Sequence, residues 1–327
     1  MILAGDIGGT NTRLALFDEY FMPVGEPMIY KNAGRDSFVE MVREYLAQNL
    51  DGSLGRIMRA CFGVAGPVSA GRVALTNLNW QLDEMSLSEQ LGVSKLALIN
   101  DLVANAEGVE RLQPQHLVPL NDGMAVHGGT RAVIAAGTGL GEAGLVWDRH
   151  RSSYHALPSE GGHADFAPID DREIALLHFM RSRVEHVSWE SVLSGPGLRN
   201  VYDFIISPGQ LGPSAAMESS DPTPAEISDV GSSGSNAGAT AALELFVALY
   251  GAEAGNLALK LLATGGVYVG GGIAPKILDL LQSNVFLDRF NGKGPAKLHE
   301  VLKKIPIYVI NFELCALYGA ANYASRL

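Results

Sequence analysis

Leu3-Ala4-Gly5-Asp6-Ile7-Gly8-Gly9-Thr10-Asn11-Thr12-Arg13-Leu14-Ala15-Leu16-Phe17 is an apolar run that enters a glycine turn and an apolar run that leaves it. The pattern predicts a strand, a tight turn and an antiparallel return. Glycine in such a turn permits positive φ and lets backbone N–H groups approach a ligand. Exposed N–H groups there make an anion-binding concavity. Two readings are therefore open: an ordinary β-hairpin, or a phosphate hairpin.

The same pattern returns. Arg131 to Ala136 is an apolar strand, Gly137-Thr138-Gly139-Leu140-Gly141 is a turn, and Ala143 to Trp147 is a returning strand. A third glycine turn, Gly270-Gly271-Gly272-Ile273, follows the apolar Val267-Tyr268-Val269. A strand–turn–strand unit used twice predicts two duplicated α/β domains facing each other across a ligand cleft. Three glycine turns at strand ends suit one nucleotide, with phosphates on the two hairpins and adenosine near the third turn. Gly139-x-Gly141-x-x-Gly144 also fits a dinucleotide fingerprint. That motif has to open a helix, whereas Leu145-Val146-Trp147 continues as a strand, so the fingerprint is set aside.

Around these turns the spacing predicts further elements. Ser37 and Glu40, and again Ser86 and Glu89, read as capping boxes opening helices. Strands are expected over Ile57–Val64, Arg72–Thr76, Leu96–Ile99 and Ile307–Ile310. Helices are expected from about Leu102, over Asp171–Val184, from near Ser188 with Glu190 on a solvated face, over Thr240–Ala263, over Ala274–Leu281 and over Glu313–Ser325. Residues 207–238 are poor in large apolar side chains and read as a surface loop. Thr223-Pro224-Ala225-Glu226 within it signals a short helix.

Composition narrows the function classes. The chain has 327 residues, is 47% hydrophobic and carries a net charge of −11. No Lys/Arg block stands out, so nucleic acid is not an expected partner. The two cysteines, Cys61 and Cys315, both lie in apolar runs. They predict buried thiols in a reducing compartment and cannot build a cysteine-based zinc site. No basic segment or cleavable apolar core precedes the hairpin, so no signal peptide is expected. No apolar run reaches the ~18 residues of a membrane span.

Four groups carry candidate chemistry. Asp101 follows a buried strand, where ligand sites of α/β folds open, and it is equally placed to cap the next helix. Asn100 beside it favours the first reading, since an Asn-Asp pair can hold a vicinal diol. Asp6 stands beside a phosphate turn and would repel the phosphate unless a cation lay between them. Mg²⁺ is the natural choice. Glu160-Gly161-Gly162-His163 can converge on a small polar ligand or form a solvated loop with a local hydrogen bond.

Assembled, these segments resemble the bacterial ATP-dependent glucokinases, hexokinase-type members of the actin-like ATPase superfamily. The resemblance runs over nearly the whole chain. It rests on Gly5 to Arg13, Leu98-Ile99-Asn100-Asp101, Gly137 to Gly141, Pro158 to Phe166, Glu190 to Leu198, and Gly270 to Ile273. It implies two ribonuclease-H-like domains, residues 1–111 with 312–327 and residues 112–311. It implies Asp101 as the general base on the sugar 6-hydroxyl, with Asn100, Asp101, Glu160, His163 and Glu190 binding the sugar. ATP would lie on Gly5, Asp6, Ile7, Gly8, Gly9, Thr10, Gly137, Thr138, Gly271 and Gly272, with Asp6 acting through Mg²⁺, via water. A cytoplasmic homodimer serving the first step of glycolysis is the expected context. The related ROK branch carries a cysteine-rich zinc motif after its Gly-His pair. Here Asp165-Phe166-Ala167-Pro168 follows, so zinc is not expected. Alternatives are a kinase of another hexose or amino sugar, another phosphoryl donor such as polyphosphate, and a non-catalytic sugar sensor. A sensor would carry a helix-turn-helix ahead of the hairpin, which begins at Leu3.

Overall fold

The computed structural model describes residues 1–50, 57–75 and 78–327. The chain forms two compact units: Met1–Pro114 with Ser153–Pro158 and Phe312–Leu327, and Gln115–Ser152 with Ser159–Asn311.

The first unit opens with β1 (Ile2–Ile7), β2 (Asn11–Phe17) and β3 (Pro23–Lys31), followed by α1 (Phe38–Asn49). Then come β4 (Arg59–Val64), β5 (Arg72–Leu75), β6 (Trp80–Asp83), α2 (Glu84–Leu91), β7 (Lys95–Asn100) and α3 (Asp101–Gly108). Five strands make one sheet in the order β3-β2-β1-β4-β7, and β5 pairs with β6. β1 runs antiparallel to β2 and parallel to β4, and β4 runs parallel to β7. β1 and β4 are near-continuous apolar runs because both of their faces are covered. One face packs Phe38, Met41, Val42 and Tyr45 of α1 against Leu3, Leu14 and Phe62.

The second unit holds β8 (Leu117–Pro119), β9 (Arg131–Ala136) and β10 (Leu140–Asp148). The next strand, β11 (Ser153–Ser159), groups through its first six residues with the first unit. There the Tyr154 and Ala156 N–H groups donate to Glu110 and Glu107, at 3.1 and 3.3 Å. The second unit continues with α4 (Asp171–Arg181), α5 (Gly195–Ile205), α6 (Pro224–Ser233), α7 (Ala237–Leu261) and β12 (Gly266–Gly270). It closes with α8 (Leu278–Leu281), α9 (Asn284–Asn291), α10 (Ala296–Lys304) and β13 (Ile307–Ile310). Its strands stand in the order β10-β9-β12-β13-β8. β9 is antiparallel to β10 and parallel to β12, and β12 is parallel to β13. That repeats the β1, β2, β4, β7 relations of the first unit, and the expected duplicated α/β architecture is the one found. The chain then returns to the first unit as α11 (Cys315–Ala324), whose Ala316, Leu317, Ala320 and Ala321 cover the second face of that sheet.

α7 is apolar on all sides because it is the core of the second unit. Among the described residues it alone is long and apolar enough to cross a membrane, against the expectation of no such run, and 78% of its apolar window is buried. Gly251 and Gly255 admit α9: a Cβ at Gly251 would collide with the Phe286 carbonyl, and one at Gly255 would lie 2.5 Å from that of Phe290.

Several local expectations are corrected. α2 starts at Glu84 and not after Ser86, because the Asp83 carboxylate caps it by accepting from the Ser86 N–H at 2.9 Å. No helix starts near Ser188. The Phe166, Trp189 and Glu190 N–H groups bond across to Val187, Ala164 and Gly162, so this backbone pairs with another segment. Asn100, not Asp101, caps α3. Ala274–Ile277 is a 3₁₀ turn ahead of α8. The Thr223–Glu226 signal is a full capping box on α6. Thr76, expected in a strand, lies outside the described residues.

Candidate active site

In the first unit the glycine turn joins β1 to β2. Gly8 N–H donates to Asn11 O at 3.0 Å and closes it, leaving Gly9 and Thr10 exposed. Neither Gly8 nor Gly9 has a positive φ, so glycine serves here through openness: a Cβ at Gly9 would meet nothing within 4 Å. Gly5 and Ile7 are buried in β1, Gly5 beneath the Phe62 ring, so they face a ligand through backbone alone. Asn32, which sequence spacing does not single out, braces the turn. Its Nδ2 donates to Gly8 O at 2.8 Å, its N–H to Thr10 O at 2.9 Å, and its Oδ1 accepts from the Thr12 hydroxyl at 2.7 Å.

Asp6, one residue before the end of β1, is a mostly buried carboxylate, and Arg13 Nη1 lies 3.2 Å from its Oδ2. Burial pushes its pKa up, and the Arg13 charge offsets that only in part. A carboxylate whose charge is incompletely answered suits a cation. Among the described residues no group of three or more His, Cys, Asp or Glu is placed to cage a metal. Mg²⁺ is commonly held by one or two carboxylates with water and substrate phosphates, so Asp6 fits that mode.

Asn100 and Asp101 stand where β7 passes into α3. Asn100 Oδ1 accepts from the Leu102 and Val103 N–H groups at 2.8 and 3.4 Å, and its Nδ2 donates to Gly66 O at 3.2 Å. The amide is thus oriented with one N–H to spare. Asp101 occupies the first helical position, half-buried, with Oδ1 2.9 Å from its neighbour's N–H. Gly63 on β4 allows this approach, since a Cβ there would lie 2.8 Å from the Ala104 methyl.

In the second unit the Gly137–Gly139 turn closes through Gly137 N–H donating to Gly139 O at 2.8 Å. A Cβ at Gly137 would meet nothing, and Thr138 is exposed. Gly271 has φ +83° and lies flush against the Ala136 backbone, where any Cβ would collide. Gly137, Thr138 and Gly272 line one cavity of about 270 Å³ with Pro196, Pro224 and Ile273. The N-termini of α5 and α6 open on it, and helix N-termini favour anions. Pro224 comes from the 207–238 region to which sequence reasoning assigned no role; its capping box was the available signal.

Glu160, His163 and Glu190 belong together in this unit. Gly161–His163 is one 3₁₀ turn following Glu160, and Glu160 and His163 are exposed. His163 Nδ1 lies 4.0 Å from Glu190 Oε1. Glu190 Oε2 accepts from the Leu140 N–H at 2.8 Å, directly after the glycine turn, and Glu190 N–H donates to Gly162 O at 2.9 Å. Glu190 thereby joins the hairpin to the Glu160–His163 turn and is not on a solvated helix.

Known proteins resemble the chain over its whole length. The glucokinase family matches the chain over residues 3–327. The glucokinase of Psychromonas ingrahamii is 40% identical over 321 residues, spanning 98% of this chain and 96% of that protein. A crystal structure of glucokinase from an Antarctic psychrotroph aligns with a TM-score of 0.85 at 32% identity, over 100% of this chain and 99% of that one. The ROK family glucokinase of Streptomyces griseus, solved with glucose and AMPPNP, aligns at 0.67 and 19% identity over 100% and 99% of the two chains, a likeness of fold alone. With duplicated sheets, paired glycine hairpins and a full-length match at this identity, the chain belongs to the glucokinase family.

Proposed function

We propose that the chain transfers the γ-phosphoryl group of ATP to the 6-hydroxyl of D-glucose, with Asp101 as general base. The observation that carries this reading is the match to a curated glucokinase at 40% identity over nearly the whole length. Asp101 accepts the hydroxyl proton as the sugar oxygen bonds to the γ-phosphorus and the bond to the bridging oxygen breaks, leaving ADP. Asn100, Glu160, His163 and Glu190 hold the other hydroxyls. Each orients the acceptor, and a polar site of this kind rejects sugars that leave its groups unpaired. Gly8, Gly9, Thr10, Gly137 and Thr138 offer turn backbone to the phosphates, and Gly271 and Gly272 border the adenosine. Residues 1–111 with 312–327 then supply the base and the first phosphate hairpin, and residues 112–311 supply the second hairpin and the adenosine border.

Asp6 would hold Mg²⁺ through water; bound there, the ion supplies neutralisation of phosphate charge. Phosphoryl transfer depends on such positioning and neutralisation more than on covalent help. The two free cysteines are both buried, which suits the cytoplasm, and the family resemblance supports a homodimer acting at the entry to glycolysis.

Asp101→Asn tests the base. Glucose affinity should stay near that of the parent while turnover falls by about 10²–10⁴-fold. Near-normal turnover would remove Asp101 from the role. A coupled assay of ATP turnover run over a hexose panel tests the substrate, and a preference for mannose or an N-acetyl sugar would overturn glucose.

A further inference from the structure

Beneath the Gly161–Gly162 turn lies a polar pair that none of these roles uses. Glu142 on β10 is 1% exposed and Glu253 on α7 is 0% exposed. The charge of Glu253 is answered: Asn256 Nδ2 donates to Oε2 at 2.7 Å and Lys260 Nζ to Oε1 at 3.0 Å. Glu142 instead faces Glu253 within hydrogen-bonding reach, and its Oε1 finds no donor. Two carboxylates can hydrogen-bond to each other only when one of them carries a proton.

The other oxygen of Glu142 faces the candidate hexose loop. A Cβ on Gly161 would collide with Oε2, so the turn rests directly on this carboxyl. Gly162 is equally close to the Leu140 carbonyl, and its own carbonyl accepts from Glu190. The Glu142 carboxyl is therefore the floor of the turn that carries Glu160 and His163 and anchors Glu190.

We propose that Glu142 donates its proton to Glu253 and, held in that way, acts as a positioning residue for the hexose-binding turn, making hexose affinity sensitive to loss of this proton. The inference rests on the reading of Glu160, His163 and Glu190 as hexose ligands. Burial first, and the Glu253 charge second, push Glu142 up to about 8. Lys260 draws it down. Lys293, held down to about 8 by its own burial, faces Glu253, Arg289 and Lys260, and Tyr250 stands within the field of Glu142. Ionisation places a second negative charge beside Glu253, and repulsion moves the floor of the turn.

The test compares KM for glucose and for ATP in the parent, Glu142→Gln, Glu142→Ala and His163→Ala from about pH 6.5 to 9. In the parent, glucose KM should rise several-fold toward the alkaline end while ATP KM stays level. The Gln carboxamide donates to Glu253 and cannot ionise, so Glu142→Gln should flatten the glucose profile. Glu142→Ala should raise glucose KM by about tenfold at every pH, as expected for a displaced binding group. An alkaline rise that survives in Glu142→Gln overturns the proposal, and so does an unchanged glucose KM in Glu142→Ala. If His163→Ala raises glucose KM while Glu142→Ala does not, the positioning role fails and the hexose reading stands. If His163→Ala leaves it unchanged, the hexose reading fails. Should the Ala variant not fold, the Gln profile still decides.

Discussion

Tyr250 shows how much one atom can arrange. It is fully buried, and its hydroxyl accepts from the Ala136 N–H at 3.1 Å. Its proton points to Gly270 O at 3.2 Å or Ile134 O at 3.4 Å. Ala136 directly precedes Gly137 and Gly270 directly precedes Gly271, so this oxygen on α7 fixes the roots of both glycine turns proposed to hold the nucleotide. Tyr250→Phe leaves a buried N–H unpaired and should cost about 1–3 kcal/mol in denaturant unfolding. ATP KM should rise several-fold with glucose KM held; loss of stability with ATP KM unchanged would reduce the hydroxyl to a core role. The glycine turns were legible in the sequence because each interrupts an apolar run. Tyr250, Asn32 and Glu142 were not, since their partners lie far along the chain and no spacing records a contact that only the folded sheets create.

At the scale of elements, legibility followed the strength of local signals. The Thr223-Pro224-Ala225-Glu226 box read correctly because its two hydrogen bonds are internal to four residues. The Ser86–Glu89 box misread because Asp83, three residues earlier, already takes the Ser86 N–H at 2.9 Å. α9 and α10 went unseen although Phe286 and Phe290, and then Leu298, Val301 and Leu302, recur at helical spacing. The helix expected around Glu190 failed because that backbone bonds to residues 162–166. The start of α5 links a cap to the site. Ser194 Oγ accepts from Gly197 N–H at 2.9 Å and donates to Glu190 O at 2.8 Å. Ser194→Ala should therefore cost about 1 kcal/mol of stability. It should also raise glucose KM through a looser Glu190, and equilibrium unfolding with a KM measurement separates the two effects. A stability loss with glucose KM unchanged would confine Ser194 to the cap.

For the whole molecule, buried carboxyls set the response to pH. Folding raises the proton affinity of Glu142, to about 8, and of Asp6. Over the range between their unfolded and folded values the native state binds more protons than the unfolded one, so stability is greatest on the acid side and falls as pH rises. The lowered carboxyls of Glu44, Asp83 and Glu226 act with the opposite sign, but only at more acid pH. Each tenfold change in proton affinity is worth ~1.4 kcal/mol. The melting temperature should then drop by at least ~2 °C between about pH 5.5 and 8, less steeply in Glu142→Gln. A melting temperature that is flat or rises over this range would contradict the assignment of the proton.

The position of α11 also sets an order of assembly. Its glycine and cysteine backbone packs tightly on α3: a Cβ at Gly319 would collide with the Ala104 carbonyl, and one at Gly108 with that of Cys315. Leu317, Ala320 and Ala321 complete the core beside Ile2, Cys61 and Ile99. During synthesis every strand of the second unit is made before residues 315–324 exist. The sheet bearing Asp6 and Asp101, though made first, waits with one apolar face uncovered until α11 is made. The nascent chain is thus open to chaperones at this sheet, and the helix that carries the proposed base gains its cover only after the second unit has been made.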